Sequence, residues 1–280
     1  MPELPEVETI VEELNQVLPG ERIKSVQIHY PGCIKGDVAF FQENVSGKKI
    51  EKVRRKGKLL LLDLDANGHI VCHLKMTGQL LWEKGNKQNS MLDKYTQLVF
   101  CLDSDNCLLF RDKRKFGYLA FFKSAQELNK WDFIANLGPD ALEITTQDLK
   151  RLLGNKKTKL KSFLMDQKMI AGIGNIYADE ALHEAGLHPC LKGYELDSEQ
   201  IARLHNALRS VLARAIKAKG SSFSDYVNSS GNAGSFQEEF CVYGCKGKEC
   251  KHCGAVLESI RVSGRNSTYC PCCQPIAEDR

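Results

Sequence analysis

CKHCGAVLESIRVSGRNSTYCPCC, residues 250–273, sets two CxxC pairs sixteen residues apart, Cys250 with Cys253 and Cys270 with Cys273. Two such knuckles facing across a hairpin offer four thiolates in a tetrahedral array, the closed donor set that structural zinc prefers. The segment is short and polar, with too few apolar residues to fold by itself, so a metal is the expected source of its order. One structural Zn2+ on Cys250, Cys253, Cys270 and Cys273 is therefore expected, with Cys245, Cys272 and His252 as alternative donors for one position. A closed four-sulfur site does no Lewis-acid chemistry. Its task is to hold Arg261, Arg265 and their neighbours in place.

Upstream of the hairpin, SSFSDYVNSSGNAGS (221–235) reads as a mobile loop. Before it the apolar residues recur at helical spacing in TTQDLKRLL, KLKSFLMDQ, NIYADEALHEAG and DSEQIARLHNALRSVLARAIKAKG, the last opened by an Asp197/Gln200 capping box and stopped by Gly220. A small helical bundle follows from that pattern. From Arg22 to about Phe122 the period is instead that of strands, RIKSVQIHY, KLLLLDLD, HIVCHLKM, TQLVFCLD and CLLFRD, parted by Gly, Asn and Asp turns. This region is expected to be a β-sandwich or flattened barrel. Val7, Ile10, Val11, Leu14 and Val17 put one more buried-face helix at the very start, with Pro5 in its first turn and Glu3, Glu6 and Glu8 at the positive end of its dipole.

The 280 residues suffice for two modest cores, and no stretch approaches the roughly 20 apolar residues of a membrane span. The acidic opening MPELPEVETIVEEL does not resemble a secretory signal, so a cytoplasmic protein is expected. In that compartment disulfides are rare, and the eight cysteines outside the CxxC pairs read as small apolar residues or loop thiols. The net charge of +4 is modest, but basic residues gather in KKIEKVRRKGK (48–58), RDKRK (111–115), NKKTKLK (155–161) and the cysteine region. Any one of these reads equally as a solvated face; four together point to a phosphate backbone.

Pro2 offers a second chemistry. Proline at a helix entrance is mostly structural. If Met1 is removed, however, Pro2 becomes a secondary amine beside Glu3, and an α-amine titrates near about 8, leaving part of it neutral and nucleophilic at pH 7. Attack of such an amine on a sugar C1′ gives an iminium directly, which acidifies the 2′ proton and allows strand cleavage by elimination.

PELPEVETI, RRKGKLLLL, HLKMTGQL, RDKRKFG, KSFLMDQKMIAGIGNIYADEAL, GLHP and VYG, followed by the cysteine knuckles, occur in the order found in the formamidopyrimidine-DNA glycosylase family, which the chain resembles over nearly its whole length. The resemblance implies an α+β multidomain fold: an N-terminal helix and β-sandwich over 1–135, a helix-two-turn-helix domain with a lesion-capping loop over 136–236, and a zinc-finger hairpin over 237–280. It implies a monomeric, bacterial base-excision enzyme that binds damaged double-stranded DNA, removes 8-oxoguanine and formamidopyrimidines, and cleaves the abasic site by β,δ-elimination. Pro2 would be the Schiff-base nucleophile and Glu3 the acid/base. Lys58 would contact phosphate and donate a proton in β-elimination, and Arg265 would grip phosphates and assist δ-elimination. Met76, Arg114 and Phe116 match the wedge that fills the gap left by an extruded base. Read without the resemblance, Met76 and Phe116 are core residues. Asn175 would bind backbone at the two-turn, and Lys156, Lys161 and Glu6 would surround the extruded base or its phosphates.

Four positions depart from the family pattern. Tyr95 stands where a DNA-contacting histidine is common, Lys75 replaces a glycine, Lys113 a proline and Gly264 a glutamine. They touch the finer DNA contacts and the lesion preference and leave every proposed catalytic group in place. A rival within the resemblance is the endonuclease VIII type, which prefers oxidised pyrimidines; Leu4 and the Arg114/Phe116 loop favour the purine branch. A non-catalytic zinc protein that binds bent or abasic DNA has no need of both Pro2 and Glu3. A zinc-ribbon scaffold explains only residues 241–274.

Overall fold

The computed structural model describes residues 1–85, 93–154 and 156–276. It divides into two compact units, the first made of 1–136 with 218–235 and the second of 137–217 with 236–280.

The first unit opens with α1 (Leu4–Val17), whose Val7, Ile10, Val11 and Leu14 are buried at the expected helical spacing. The chain continues through β1 (Ile23–Ile28), α2 (Val38–Val45), β2 (Ile50–Lys56), β3 (Leu59–Leu64), β4 (His69–His73), β5 (Gly78–Glu83), β6 (Thr96–Leu102), β7 (Cys107–Asp112) and β8 (Tyr118–Phe122). Among the described residues these strands form two four-stranded sheets, β1-β6-β7-β5 and β2-β3-β4-β8, antiparallel at each pairing. One core joins α1 to both sheets, through Leu98, Phe100, Leu108 and Phe110 on one side and Leu60, Leu62, Ile70 and Cys72 on the other. Strand alternation accounts for the split: Val99, Cys101, Cys107 and Leu109 point to the opposite face and form a small cluster of their own.

Two features of this unit differ from the sequence reading. The basic run 48–58 is not merely a solvated face, because its centre is β2, where Arg54 pairs with Asp63 at 2.6 Å and Arg55 with Glu8 of α1. Residues 218–235 stay irregular in backbone but pack with this unit: Glu13 of α1 accepts from Asn228 Nδ2 (2.8 Å), Ser229 N (3.0 Å) and Ser229 Oγ (2.8 Å), and Asn228 and Ser229 are buried. A serine- and asparagine-rich segment looks mobile until a half-buried carboxylate supplies its acceptors.

After α3 (Ala125–Lys130) and α4 (Asp132–Ala135), the second unit is built from α5 (Thr146–Leu153), α6 (Leu160–Met165), α7 (Asn175–Glu184) and α8 (Ser198–Lys217), then the hairpin β9 (Glu258–Val262) and β10 (Arg265–Tyr269). Thr145 and Asp148 form a capping box at the start of α5. No described helix is long and apolar enough to cross a membrane.

Candidate functional site

In the first unit, Pro2 and Glu3 are buried directly ahead of α1. The Glu3 N–H donates to Glu6 Oε2 at 2.8 Å. The other carboxylate oxygen of Glu6 accepts from Ser221 N at 2.8 Å, and the Tyr226 hydroxyl donates to the Glu6 carbonyl at 3.3 Å. Glu6 therefore staples the helix entrance to the 218–235 segment. Gly220 permits the approach: its φ is positive, in the region that favours glycine. A Cβ there would also lie 2.9 Å from Glu6 Cγ. With Met1 attached, the Pro2 nitrogen is a tertiary amide, so the nucleophile anticipated from sequence exists only after Met1 is cleaved.

Lys58 is buried in the two-residue turn between β2 and β3. Gly57 beside it takes a positive φ, and Arg55 Nη1 donates to the Gly57 carbonyl at 2.9 Å. The charge of Lys58 is felt at His73: burial, with Lys75 and Lys58 adding to it, pushes that imidazole down to about 3. His73 is thus neutral at working pH, and its Nδ1 accepts from Lys75 N at 3.0 Å.

Met76, Arg114 and Phe116 come together. Arg114 Nη1 is 3.1 Å from Met76 Sδ, and the guanidinium carbon is 4.8 Å from the centre of the Phe116 ring. Met76 is 40% and Phe116 53% exposed, so neither belongs to the core. Next to them, Tyr95 is half-buried, and its carbonyl accepts from Asp112 N at 2.9 Å. Of the four cations in 111–115, Arg111 pairs with Asp93, and Lys113 Nζ lies 2.6 Å from Asp225 Oδ1. Sequence reasoning passes over Asp112, a buried carboxylate that four donors of this region share.

In the second unit, α6 and α7 flank a two-turn connection that Gln167 organises. Its Nε2 donates to the carbonyls of Met165 (3.0 Å) and Ile173 (2.8 Å), and its Oε1 accepts from Gly172 N at 2.9 Å. Gly172 takes a positive φ, a conformation that favours glycine. Asn175 begins α7, and its Oδ1 is buried without a hydrogen-bond partner. Lys156 is exposed.

Lys161, expected from sequence near the extruded base or its phosphates, is fully buried, with Nζ 2.6 Å from Asp179 Oδ1 and 3.2 Å from the Asn266 carbonyl, so in this fold its charge is engaged in an internal pair. Asp179 also accepts from Ser267 Oγ (2.5 Å) and Thr268 N (3.3 Å). Burial pushes its carboxyl up to about 6 against the pull of Lys161. Its neighbour Glu180, buried as well, accepts from three successive backbone N–H groups, Cys241 (2.9 Å), Val242 (3.0 Å) and Tyr243 (2.7 Å). The acidic pair at the end of GIGNIYADE therefore clamps both β10 and the approach to the hairpin. Arg265 is exposed at the start of β10, after a Ser263–Gly264 turn in which both residues take positive φ, as a two-residue hairpin prefers.

The sulfurs of Cys250, Cys253, Cys270 and Cys273 all lie within 4.8 Å of one another. A tetrahedron with Zn–S bonds of about 2.3 Å puts its sulfurs about 3.8 Å apart. The Cys250–Cys273 and Cys253–Cys270 separations are 3.9 and 3.4 Å. His252 N and Cys273 N donate to Cys250 Sγ (3.4 Å) and Cys270 Sγ (3.3 Å), the backbone support a thiolate needs. The four residues fit one structural zinc; Cys272 is exposed, outside the cluster.

Residues 1–119 match the model of the formamidopyrimidine-DNA glycosylase N-terminal domain, residues 137–227 that of the formamidopyrimidine-DNA glycosylase H2TH domain, and residues 247–276 that of the zinc finger found in FPG and IleRS. A relative from Bacillus cereus named formamidopyrimidine-DNA glycosylase is 40% identical over 279 residues, 98% of this chain and 99% of the relative. The complex of Lactococcus lactis Fpg with DNA containing an abasic site superposes with a TM-score of 0.90 at 31% identity, covering 98% of this chain and 100% of that one. The complex of the same protein with FAPY-dG-containing DNA gives 0.89, with the same identity and coverage.

Proposed function

The chain belongs to the formamidopyrimidine-DNA glycosylase family, and we propose how its own residues divide that family's work. It is a base-excision-repair glycosylase and abasic-site lyase acting on damaged DNA. The lesions we assign to it are oxidised purines, 8-oxoguanine and formamidopyrimidines. Freed of Met1, the Pro2 nitrogen attacks C1′ and the bond from C1′ to the damaged base breaks. Glu3 protonates the opening sugar ring, leaving an iminium between Pro2 and C1′. The Glu3 carboxylate, having given up its proton, takes the 2′ proton as the 3′ phosphate leaves with a proton from Lys58, and a second elimination expels the 5′ phosphate. Arg265 and Asn175 hold the phosphates, Lys156 and Tyr95 add outer contacts, and zinc, when bound, keeps the hairpin of Arg265 in shape.

The observation that most supports this division is the exposed trio Met76, Arg114 and Phe116. A base is attacked at C1′ only after it leaves the stack, and the vacated space needs apolar area plus a hydrogen-bonding partner for the orphaned base. Two large apolar side chains flanking an arginine at the surface supply both. A monomer in the cytoplasm is the natural working form, since the DNA-binding face has to stay open.

Borohydride trapping on a duplex carrying 8-oxoguanine opposite cytosine tests the assignment. A reduced cross-link located by mass spectrometry at Pro2 is expected. A cross-link at a lysine, or none on oxidised or abasic duplexes with zinc intact, overturns it.

A further inference from the structure

Asp112 ends β7 and is 1% exposed, yet no salt bridge to it exists among the described residues. Its carboxylate instead collects four short-range donors. Oδ2 accepts from Phe116 N at 2.8 Å and Gly117 N at 2.6 Å. Oδ1 accepts from Arg114 N at 3.0 Å and from the Thr77 hydroxyl. Thr77 Oγ1 in turn accepts from Arg114 N at 3.1 Å. Thr77 is the residue after Met76, so one buried carboxylate ties the β4–β5 turn that carries Met76 to the β7–β8 turn that carries Arg114 and Phe116. The packing around the second turn is equally close. A Cβ on Gly117 would lie 2.8 Å from the Phe110 ring and 3.1 Å from Asp112 Oδ2.

We propose that Asp112 is the positioning residue of the wedge, fixing Met76, Arg114 and Phe116 in one preset arrangement before DNA arrives. The inference rests on the reading of those three residues as the wedge. Its physical basis is preorganisation. Both turns are exposed loops that would otherwise sample many conformations, and charge-assisted hydrogen bonds from backbone N–H groups remove that freedom in advance. A carboxylate is the only side chain that offers two acceptor oxygens here with no donor to clash. An asparagine of the same shape would turn an N–H2 group toward Arg114 N and Thr77 or toward Phe116 N and Gly117 N, setting donor against donor.

Base excision from a duplex requires the wedge, whereas cleavage of a single-stranded abasic site presents no stack to open. Asp112→Asn is expected to lower the ratio of single-turnover excision of 8-oxoguanine from duplex to cleavage of a single-stranded abasic oligonucleotide by about 100-fold, the scale of a misplaced positioning element. Thr77→Val, which removes one hydroxyl at the edge of the network and keeps the volume, is expected to lower it less, and Thr77→Ser to restore it. Arg114→Ala and Phe116→Ala, measured alongside, report on the wedge itself. If these two leave the ratio intact, the wedge reading falls and the positioning role falls with it. If they lower it while Asp112→Asn and Thr77→Val do not, the wedge stands and the role of Asp112 is overturned. Equal losses on both substrates in the Asp112 and Thr77 variants mean a general folding defect and overturn it too.

Discussion

Lys161 and Asp179 form an ion pair 2.6 Å long whose side chains are 0% and 1% exposed. With Ser267, Thr268 and the Asn266 carbonyl as further partners, the pair fixes β10 immediately beyond Arg265. Removing one partner strands the other charge, which costs about 3–5 kcal/mol in a buried pair. Lys161→Met is therefore expected to lower unfolding free energy by that amount in urea titrations. If the variant instead keeps its stability and loses about one unit of salt slope in DNA binding, Lys161 is a phosphate contact after all.

The zinc assignment separates cysteines that look alike in sequence. Serine at Cys250, Cys253, Cys270 or Cys273 is expected to abolish stoichiometric zinc and, with it, DNA binding through the hairpin. Cys272→Ser is expected to retain one zinc per chain, because Cys272 stands outside the sulfur cluster. Metal release measured with a chromogenic chelator checks this; loss of zinc from the Cys272 variant would show that the knuckle is ligated differently.

Pro2→Gly keeps an amine after methionine removal but changes its nucleophilicity and geometry. Most base excision is expected to disappear while DNA binding persists in a gel-shift assay. Arg265→Ala is expected to weaken binding to every lesion alike and to reduce the salt slope by about 1. Undiminished excision by the Pro2 variant sinks the nucleophile assignment.

His73 makes stability depend on pH. Its folded value is depressed from 6.5 to about 3 by burial and by Lys75 and Lys58. The unfolded chain therefore takes up a proton that the folded one refuses throughout that interval. The stabilisation is complete above 6.5 and is lost as pH falls toward 3, at about 1.4 kcal/mol per pH unit. Denaturation of His73→Gln followed from pH 7 to pH 4 is expected to show a slope shallower by one proton. A slope identical to that of the parent protein would mean that His73 already titrates normally in the fold.

The parts of the molecule that sequence makes legible are those with a period or a spacing. Helical recurrence locates α1, strand alternation locates β3, β4, β6 and β7, and the paired CxxC knuckles locate the metal. The wedge needs family resemblance, because exposure of Met76 and Phe116 contradicts their hydropathy. The carboxylates that organise the site leave no mark. Asp112, Glu180 and Glu13 belong to no spacing or period, since their partners are backbone N–H groups or side chains as far as 216 residues away. Lys161 misleads for the same reason in reverse: it ends a basic run, and its burial is decided by an aspartate 18 residues later.

The first unit is interrupted. Its α1 and two sheets are synthesised first, but residues 218–235, which carry the partners of Glu6 and Glu13, leave the ribosome only after α5 to α8. Until then those two glutamates have water in place of Ser221, Asn228 and Ser229, so the first part of the chain to be made is not the first to be finished. A nascent chain halted at 217 would hold every residue of both sheets and still lack the strap that closes the entrance to α1, which delays the assembled Pro2 neighbourhood until α5 to α8 exist.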